Sequence, residues 1–249
     1  MAAYDFVADD YDKSFQLLPV RSCIEAYSVL RLVGDVRGLE VLDVACGTGL
    51  YARALRRAGA TRVVGVDIAE MMVNVARQIE EETKLGIEYR VADAAAFESL
   101  GTFDLAVAVY LLHYAPTLEA LRAMASNIAR SLKPGGRLVS FSLNPDLATH
   151  DGAYAAYGLS LRIPEDSRGD GAPLHFAIKT PEVTTPEFTI FRWSKPTVEA
   201  ALDNAGLRDV RWEKPDVDPT AAAKHGHAMW QPYLEAPHCL LLSAMKPKS

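Results

Sequence analysis

Short apolar runs alternate with amphipathic stretches along the first 142 residues of the chain. Five mostly apolar runs predict β-strands at Leu39–Ala45, Arg62–Val66, Ile87–Val91, Phe103–Val109 and Arg137–Ser142. Apolar residues at helical spacing predict helices at Leu50–Ala58, Ala69–Lys84 and Thr117–Ser131. Apolar strands that alternate with helices are typical of a parallel sheet covered on both faces. The pattern therefore predicts an α/β, doubly wound sheet.

The pattern changes at Asn144, and from there to about Lys195 the chain is rich in Gly, Pro, Asp and aromatic residues. Within this segment, the alternation in Phe188–Trp193 predicts a strand that pairs with Leu174–Lys179. A long excursion inside an α/β domain is more often a functional cover than an idle loop. Beyond it we predict a helix at Pro196–Ala205, strands at Val210–Glu213 and Cys239–Met245, and an irregular segment at Pro215–Pro237.

Composition narrows the classes of function. The 249 residues are 49% apolar with a net charge of −6, which suits a single globular domain and argues against a nucleic-acid partner. We expect no membrane partner and no signal peptide, because no long apolar run occurs. Cys23, Cys46 and Cys239 have neither disulfide nor zinc spacing, which predicts a reducing, cytoplasmic setting. His225 and His227 have no acidic or cysteine companion at a known spacing, so no metal site is predicted.

The turn that follows the first predicted strand carries the first chemical signal. Ala45, Gly47 and Gly49 keep this turn small, so its backbone can approach a ligand closely. About twenty residues later Asp67 ends the second strand, where a carboxylate can accept both hydroxyls of a ribose or cap the next helix. Asp43, before the turn, would repel a pyrophosphate but suits the ammonium group of a methionine moiety.

This turn resembles the first motif of the class I S-adenosylmethionine-dependent methyltransferases. The family pattern, acidic-x-Gly-x-Gly-x-Gly, is represented here by Asp43-x-Ala45-x-Gly47-x-Gly49, with Ala45 as the departure. Phe103-Asp104 and Leu132–Arg137 match two later motifs in the family's order. The resemblance implies S-adenosyl-L-methionine as cofactor and a Rossmann-like sheet of seven mostly parallel strands with the last antiparallel.

The resemblance also implies which residues bind the cofactor. Asp67 corresponds to the family's ribose-binding acid, and Asp93 corresponds to its adenine-binding acid. The N-terminal Tyr4–Phe15 resembles a cap helix that closes over the cofactor, where Tyr11 either contacts the methionine end or packs the helix onto the core. The full set of expected cofactor contacts is Tyr11, Asp43, Ala45, Gly47, Gly49, Asp67, Ile68, Met72, Asp93, Ala94 and Val109.

The acceptor is expected at the end of the fourth strand, because ligands bind at the carboxyl ends of strands in open α/β sheets. His113 stands there and is a candidate general base, with a structural histidine as the alternative. The Asn/Asp-Pro-Pro-aromatic motif of methyltransferases that modify DNA bases is absent, which again disfavours nucleic acid. The aromatics of the late segments either form an apolar lid for a flat acceptor or pack among themselves. Expected acceptor contacts are Tyr110, His113, Tyr114, Trp193, Trp230 and Tyr233.

Together these observations predict one methyltransferase domain over residues 1–249. Its expected parts are N-terminal cap helices at 1–38, a cofactor-binding core at 39–142, an acceptor lid at 143–195 and C-terminal core elements at 196–249. The tail at Met229–Pro237 is loosely similar to that of the toxoflavin synthase-like small-molecule methyltransferases. We therefore expect N- or O-methylation of a small heterocycle or phenol in secondary metabolism, by a monomer or a homodimer. A peptide or protein methyltransferase and a non-catalytic or dehydrogenase-type nucleotide binder stay open as alternatives.

Overall fold

A computed structural model describes residues 15, 17–150, 152–165 and 167–248. Ten strands form two sheets: β1 Glu40–Val44, β2 Arg62–Asp67, β3 Glu88–Val91, β4 Phe103–Val109, β5 Leu132–Leu143, β6 Leu159–Arg162, β7 Ala172–Ile178, β8 Phe188–Arg192, β9 Arg208–Glu213 and β10 Cys239–Met245. The large sheet has seven strands in the order β3-β2-β1-β4-β5-β10-β9. β1 to β5 are mutually parallel, whereas β10 runs antiparallel to both of its neighbours. The predicted Rossmann-like sheet, with its last strand antiparallel, is confirmed.

The helices cover both faces of this sheet. A π-helical turn at Val20–Ala26 continues into an α-helix at Tyr27–Val33, and further α-helices lie at Leu50–Arg57, Glu70–Thr83, Leu118–Ser131, Lys195–Asn204, Pro219–His225 and His227–Glu235. Successive strand residues alternate between the two cores: Leu42 packs with the helix at Leu118–Ser131, and Val41 packs on the opposite face with that at Leu50–Arg57. The predicted strands and helices of the first 142 residues are thus found within a few residues of their expected bounds, except that β5 begins earlier, at Leu132.

The segment at Pro215–Pro237 was expected to be irregular, and that prediction is wrong, because it contains two short helices. The carboxylate of Asp218 accepts hydrogen bonds from the amides of Thr220 and Ala221, and Pro219 occupies the first helical turn. Gly226, with φ of 80°, separates the two helices. Pro232 lies inside the second helix, and because proline usually interrupts helices, the sequence pattern there indicated irregular chain.

The excursion after β5 forms a separate antiparallel sheet, β6-β7-β8. The predicted pairing of its two longer strands is confirmed, with Leu174 opposite Ile190, whereas β6 has no counterpart among the predicted strands. Two contacts attach this small sheet to the large one: the Trp193 indole donates to the carbonyl of Ala115, and Arg192 donates to that of Pro145. The small sheet therefore lies over the carboxyl ends of β4 and β5. Within the described ranges, no helix has the length and apolar character needed to cross a membrane.

Candidate functional site

The turn between β1 and the next helix has a backbone conformation that allows a ligand to approach it closely. Ala45, Gly47 and Gly49 all have positive φ angles, of 62°, 53° and 84°. A side chain on Gly49 would collide with the Tyr89 hydroxyl, because its Cβ would lie 2.3 Å from that oxygen. Ala45 adopts the left-handed conformation that glycine reaches without strain. The departure from the family motif at this position therefore keeps the shape of the turn.

Asp67 holds this turn in place. One carboxylate oxygen accepts from the amide of Gly47 at 2.8 Å, and the other accepts from the amide of Ala69 at 2.9 Å. Ala69 is itself the N-cap residue of the next helix, so this bond lies just before the helix and is not an N-cap contact. The expected contact of Asp67 with a ribose stays a prediction.

Asp43 lies under the turn and not in the cleft. Its side chain is buried, and its carboxylate accepts from the amide of Ala52 at 2.9 Å. Burial raises the pKa of Asp43 to about 7, against the opposing effect of that hydrogen bond. The carboxylate supports the start of the helix from below, and its expected contact with an ammonium group stays a prediction.

A cleft of about 1040 Å³, part of it open to solvent, lies over the turn. It is lined by Ala45, Gly47, Asp67, Ile68, Met72, Ala92, Asp93, Ala94, Val109, Tyr110, Leu111, Tyr114 and Met124. Most of the expected cofactor contacts are in this set. Asp43 and Gly49 are not, and Tyr11 lies outside the described residues, as does most of the expected cap helix.

The far end of the cleft has the chemistry of a ring-binding slot. Ile68 is 58% exposed although it is a large apolar residue, and Ala94 is buried beside it. Asp93 is exposed, and its carboxylate accepts from the amide of Ala95 at 2.8 Å. The Asn127 side chain donates to the carbonyl of Ala94 and so fixes this wall. Two apolar faces with one carboxylate at the edge suit a flat ring that carries an amino group.

A second cavity, of about 600 Å³ including the part that is open to solvent, lies between the carboxyl ends of β4 and β5 and the small sheet. Its lining is mostly apolar and aromatic and consists of Arg21, Tyr110, His113, Tyr114, Leu143, Tyr154, Leu159, Leu161, Phe176, Ile178, Ile190, His238 and Cys239. Tyr110 and Tyr114 line both this cavity and the first cleft. The two spaces therefore meet at these two tyrosines.

A buried carboxylate fixes the boundary between the two spaces. Glu25, in the π-helical turn, accepts from the hydroxyl of Tyr110 at 2.6 Å and from that of Tyr51 at 2.8 Å. The guanidinium Nε of Arg21 lies 3.3 Å from the same carboxylate. Tyr110 itself has φ of 57°, a costly conformation for an aromatic residue that is typical of functional sites. The sequence analysis missed Arg21 and Glu25. Their charges in an otherwise mostly apolar helical stretch were the signal that could have identified them as site residues.

His113 is buried in the wall of the second cavity. Its Nδ1 accepts from the amide of Leu143 at 3.2 Å, and the Ser142 hydroxyl lies 3.4 Å away. Burial, assisted by nearby His238, lowers the pKa of His113 to about 3. A backbone amide can only donate, so the proton of the neutral ring is on Nε2. The geometry therefore favours a hydrogen-bond donor over the general base that the sequence suggested.

The three remaining expected acceptor contacts lie outside the lining of both cavities, within the described residues. Trp193 packs in the core of the large sheet and donates to Ala115 at 3.1 Å. Trp230 is fully buried in the cluster beneath the small sheet, as is Tyr233. The Tyr233 hydroxyl is 2.7 Å from Nδ1 of His238, which does line the cavity. The late aromatics thus support the cavity wall from behind, and the sequence pattern did not single out His238.

Comparisons with known proteins agree with this geometry. Residues 41–136 match a family described as a methyltransferase domain. The chain is 32% identical to a demethylmenaquinone methyltransferase of Lactococcus lactis over 162 residues, which cover 62% of each protein. It is 39% identical to a ubiquinone biosynthesis O-methyltransferase of Xanthomonas oryzae over 113 residues, covering 44% of this chain and 45% of that protein. The matched region thus spans less than two thirds of these curated relatives.

The fold matches solved structures over almost the whole chain. A crystal structure of an S-adenosylmethionine-dependent methyltransferase from Mesorhizobium loti aligns with a TM-score of 0.64 and 23% identity, covering 89% of this chain and 97% of that one. The common architecture therefore includes the elements on both sides of the matched domain.

Proposed function

We propose that this chain, which belongs to the class I S-adenosylmethionine-dependent methyltransferases, methylates a nitrogen or oxygen atom of a small, planar heterocyclic or phenolic acceptor. One observation carries the proposal: the cleft over the small-residue turn and a mostly apolar cavity meet at Tyr110 and Tyr114. A methyl donor in the cleft and an acceptor in the cavity would approach each other at that junction.

The cleft residues fit S-adenosylmethionine by their chemistry. Asp67 would accept the ribose hydroxyls, and Asp93 would accept from the adenine amino group between Ile68 and Ala94. The small turn at Ala45 and Gly47 leaves backbone amides and open space for the methionine end. When bound, S-adenosylmethionine supplies an electrophilic methyl group on a positively charged sulfur.

The work of the protein is then to hold the acceptor and exclude water. Positioning two reactants can lower a barrier by about 7–11 kcal/mol, so little side-chain chemistry is needed. The cavity wall supplies flat apolar surfaces such as Phe176 and Tyr154. His113, with its proton on Nε2, is proposed as an orienting donor.

The curated relatives support a ring-shaped acceptor. The names of two of them, a demethylmenaquinone methyltransferase and a ubiquinone biosynthesis O-methyltransferase, refer to quinones. The mostly apolar and aromatic lining of the second cavity suits a flat ring. An extended peptide would need a longer groove, so the small-molecule proposal is favoured over a protein substrate.

Two measurements test the proposal. Calorimetry should show binding of S-adenosylhomocysteine and none of NAD, since a dehydrogenase-type nucleotide binder would give the reverse. Incubation with bacterial metabolite extracts and S-adenosylmethionine should then give a product heavier by one methylene, about 14 Da. Absence of S-adenosylhomocysteine binding would overturn the proposed function. Methylation of peptides in place of small molecules would overturn the proposed acceptor class.

A further inference from the structure

His238 immediately precedes β10 and lines the second cavity. Its side chain is buried, and its ring stacks on Phe176 with 9° between the ring planes. The hydroxyl of Tyr233 lies 2.7 Å from Nδ1. The imidazole is therefore held on one face by an aromatic ring and on one edge by a phenol.

These contacts determine which nitrogen carries the proton. Burial raises the pKa of Tyr233 well above its usual value, so its hydroxyl keeps its proton and acts as a donor. Nδ1 of His238 is the acceptor recorded for that hydroxyl within the described residues. Burial, with Arg21 nearby, lowers the pKa of His238 to about 3, so the ring is neutral at physiological pH. Nδ1 accepts, and Nε2 must then carry the hydrogen.

Nε2 of His238 is buried and makes no hydrogen bond to any described residue. Buried polar groups are nearly always paired in folded proteins, and an unpaired one is destabilising. A group that is left unpaired in the wall of a cavity is a candidate for pairing with a ligand.

Two other polar groups of the cavity wall are also hydrogen-bond donors. The proton of neutral His113 is also on Nε2, because its Nδ1 accepts from Leu143. Arg21 contributes a guanidinium, which can only donate. Most of the remaining wall is aliphatic or aromatic, including Leu161 and Ile190. The cavity thus offers several donors on an apolar background.

We propose that His238 recognises the methyl-accepting substrate by donating a hydrogen bond from Nε2 to an oxygen on the substrate's ring. Such an oxygen could belong to a carbonyl, a phenol or a carboxylate. Tyr233 is the positioning residue that fixes the donating tautomer. The inference rests on the proposed function, because it identifies the second cavity as the acceptor site. It narrows the acceptor from any planar ring to one that bears an oxygen as hydrogen-bond acceptor.

The tautomer is tested first, without any ligand. Nitrogen-15 NMR of the histidine-labelled protein should show the His238 proton on Nε2 and an unprotonated Nδ1. Tyr233→Phe removes the donor and should abolish the preference for this tautomer. A proton on Nδ1 in the wild-type protein would overturn the proposal. The His113 ring, held by a backbone amide, should be unaffected and serves as the internal control.

The second test compares two probes of the same skeleton, 1-indanone and indane, which differ by one carbonyl oxygen. Both are titrated by NMR into protein saturated with S-adenosylhomocysteine. In His238→Leu the affinity for indanone relative to indane should fall about three- to tenfold, whereas His238→Gln, which keeps an N–H donor, should retain most of it. Leu161→Val is the matched wall control and should change both affinities alike.

The outcomes separate this inference from the proposed function. Wild-type protein that does not bind S-adenosylhomocysteine contradicts the proposed function itself. If the protein binds S-adenosylhomocysteine but neither probe, only the role of His238 is contradicted. The same holds if the preference for indanone over indane survives in His238→Leu. Each variant is checked for unchanged S-adenosylhomocysteine affinity. Where His238→Leu does not fold, Tyr233→Phe gives the same comparison, and loss of the preference for indanone over indane is the expected result.

Discussion

One carboxylate oxygen of Asp67 lies 2.8 Å from the backbone nitrogen of Gly47, which places the end of β2 in direct contact with the turn after β1. The other oxygen bonds to the amide of Ala69 at the start of the next helix. Asp67 therefore links the two elements that border the cleft, and its side chain is part of the cleft lining. We therefore expect substitution of Asp67 to lower both the affinity for the cofactor and the stability of the fold.

Asp67→Ala should raise the dissociation constant for S-adenosylhomocysteine by at least about tenfold, because each charge-assisted hydrogen bond contributes about 1.5–3 kcal/mol. It should also lower thermal stability, through the lost contacts to Gly47 and Ala69. Calorimetry and thermal unfolding measure the two effects. Glu70→Ala, which removes an exposed acid three positions later, is the control for charge and should leave the dissociation constant unchanged. An unaltered dissociation constant for Asp67→Ala would remove Asp67 from the cofactor site.

Asp93→Ala should weaken S-adenosylhomocysteine binding less than Asp67→Ala, by about three- to tenfold. The Asp93 carboxylate is exposed, so water competes for it, and a neighbouring backbone amide can still contact the adenine. Glu98→Ala, another exposed acid on the same segment, is the matched control. The same calorimetric titration measures the effect. Equal affinities for Asp93→Ala and the wild type would show that Asp93 has only the structural role of bonding to Ala95.

Asp43 should make the protein less stable as the pH rises. The pKa of Asp43 is about 7 in the folded chain against 3.8 for the free side chain, mainly because of burial. The folded state therefore holds the proton more tightly, and this stabilisation is complete below pH 3.8 and is lost as pH rises to about 7. The interval corresponds to about 4 kcal/mol at most. Urea unfolding at several pH values should show this slope for the wild type and a flatter curve for Asp43→Asn; parallel curves would show that Asp43 titrates normally.

The sequence predicted the fold and the cofactor cleft well because both depend on local signals. Apolar runs located the strands, helical spacing located the helices, and the small residues Ala45, Gly47 and Gly49 located the turn. The placement of Asp43 was harder to predict, because an acid in a cleft wall and an acid buried under a turn have the same residue type and spacing. Only the contact with Ala52 separates the two cases.

The second cavity was less predictable because its wall is assembled from distant segments. Glu25 and Tyr110 are 85 positions apart in the chain and meet through one hydrogen bond. His238 precedes an ordinary apolar strand, so no motif marks it. The aromatic pattern did identify Tyr233, but its hydroxyl turned out to contact His238 from behind the wall.

Trp193→Ala should destabilise the protein by about 3–5 kcal/mol, as expected for removing a large aromatic side chain from a packed core. Trp193 is buried among core residues and is not part of the cavity lining, so the loss is structural. Trp193→Phe keeps most of the packing but loses the bond to Ala115, which should cost about 1 kcal/mol. Urea denaturation measures both variants. A stable Trp193→Ala protein with a raised Michaelis constant would restore the expectation that Trp193 contacts the acceptor.

His113 should contribute equally to turnover across the neutral pH range. The pKa of His113 is lowered to about 3 by burial, with a smaller effect of His238, so the ring is neutral at every pH above about 5. Its Nδ1 is occupied by the amide of Leu143, which leaves Nε2–H as a donor. His113→Ala should therefore lower kcat by a constant factor of about ten between pH 6 and 9, and His113→Gln, which keeps an N–H donor, should recover part of it. Steady-state kinetics with the acceptor found by the metabolite screen, at four pH values, make the comparison. A loss in His113→Ala that changes with pH along a single titration near neutrality would instead establish His113 as a general base, and Nδ1 would then have to release Leu143.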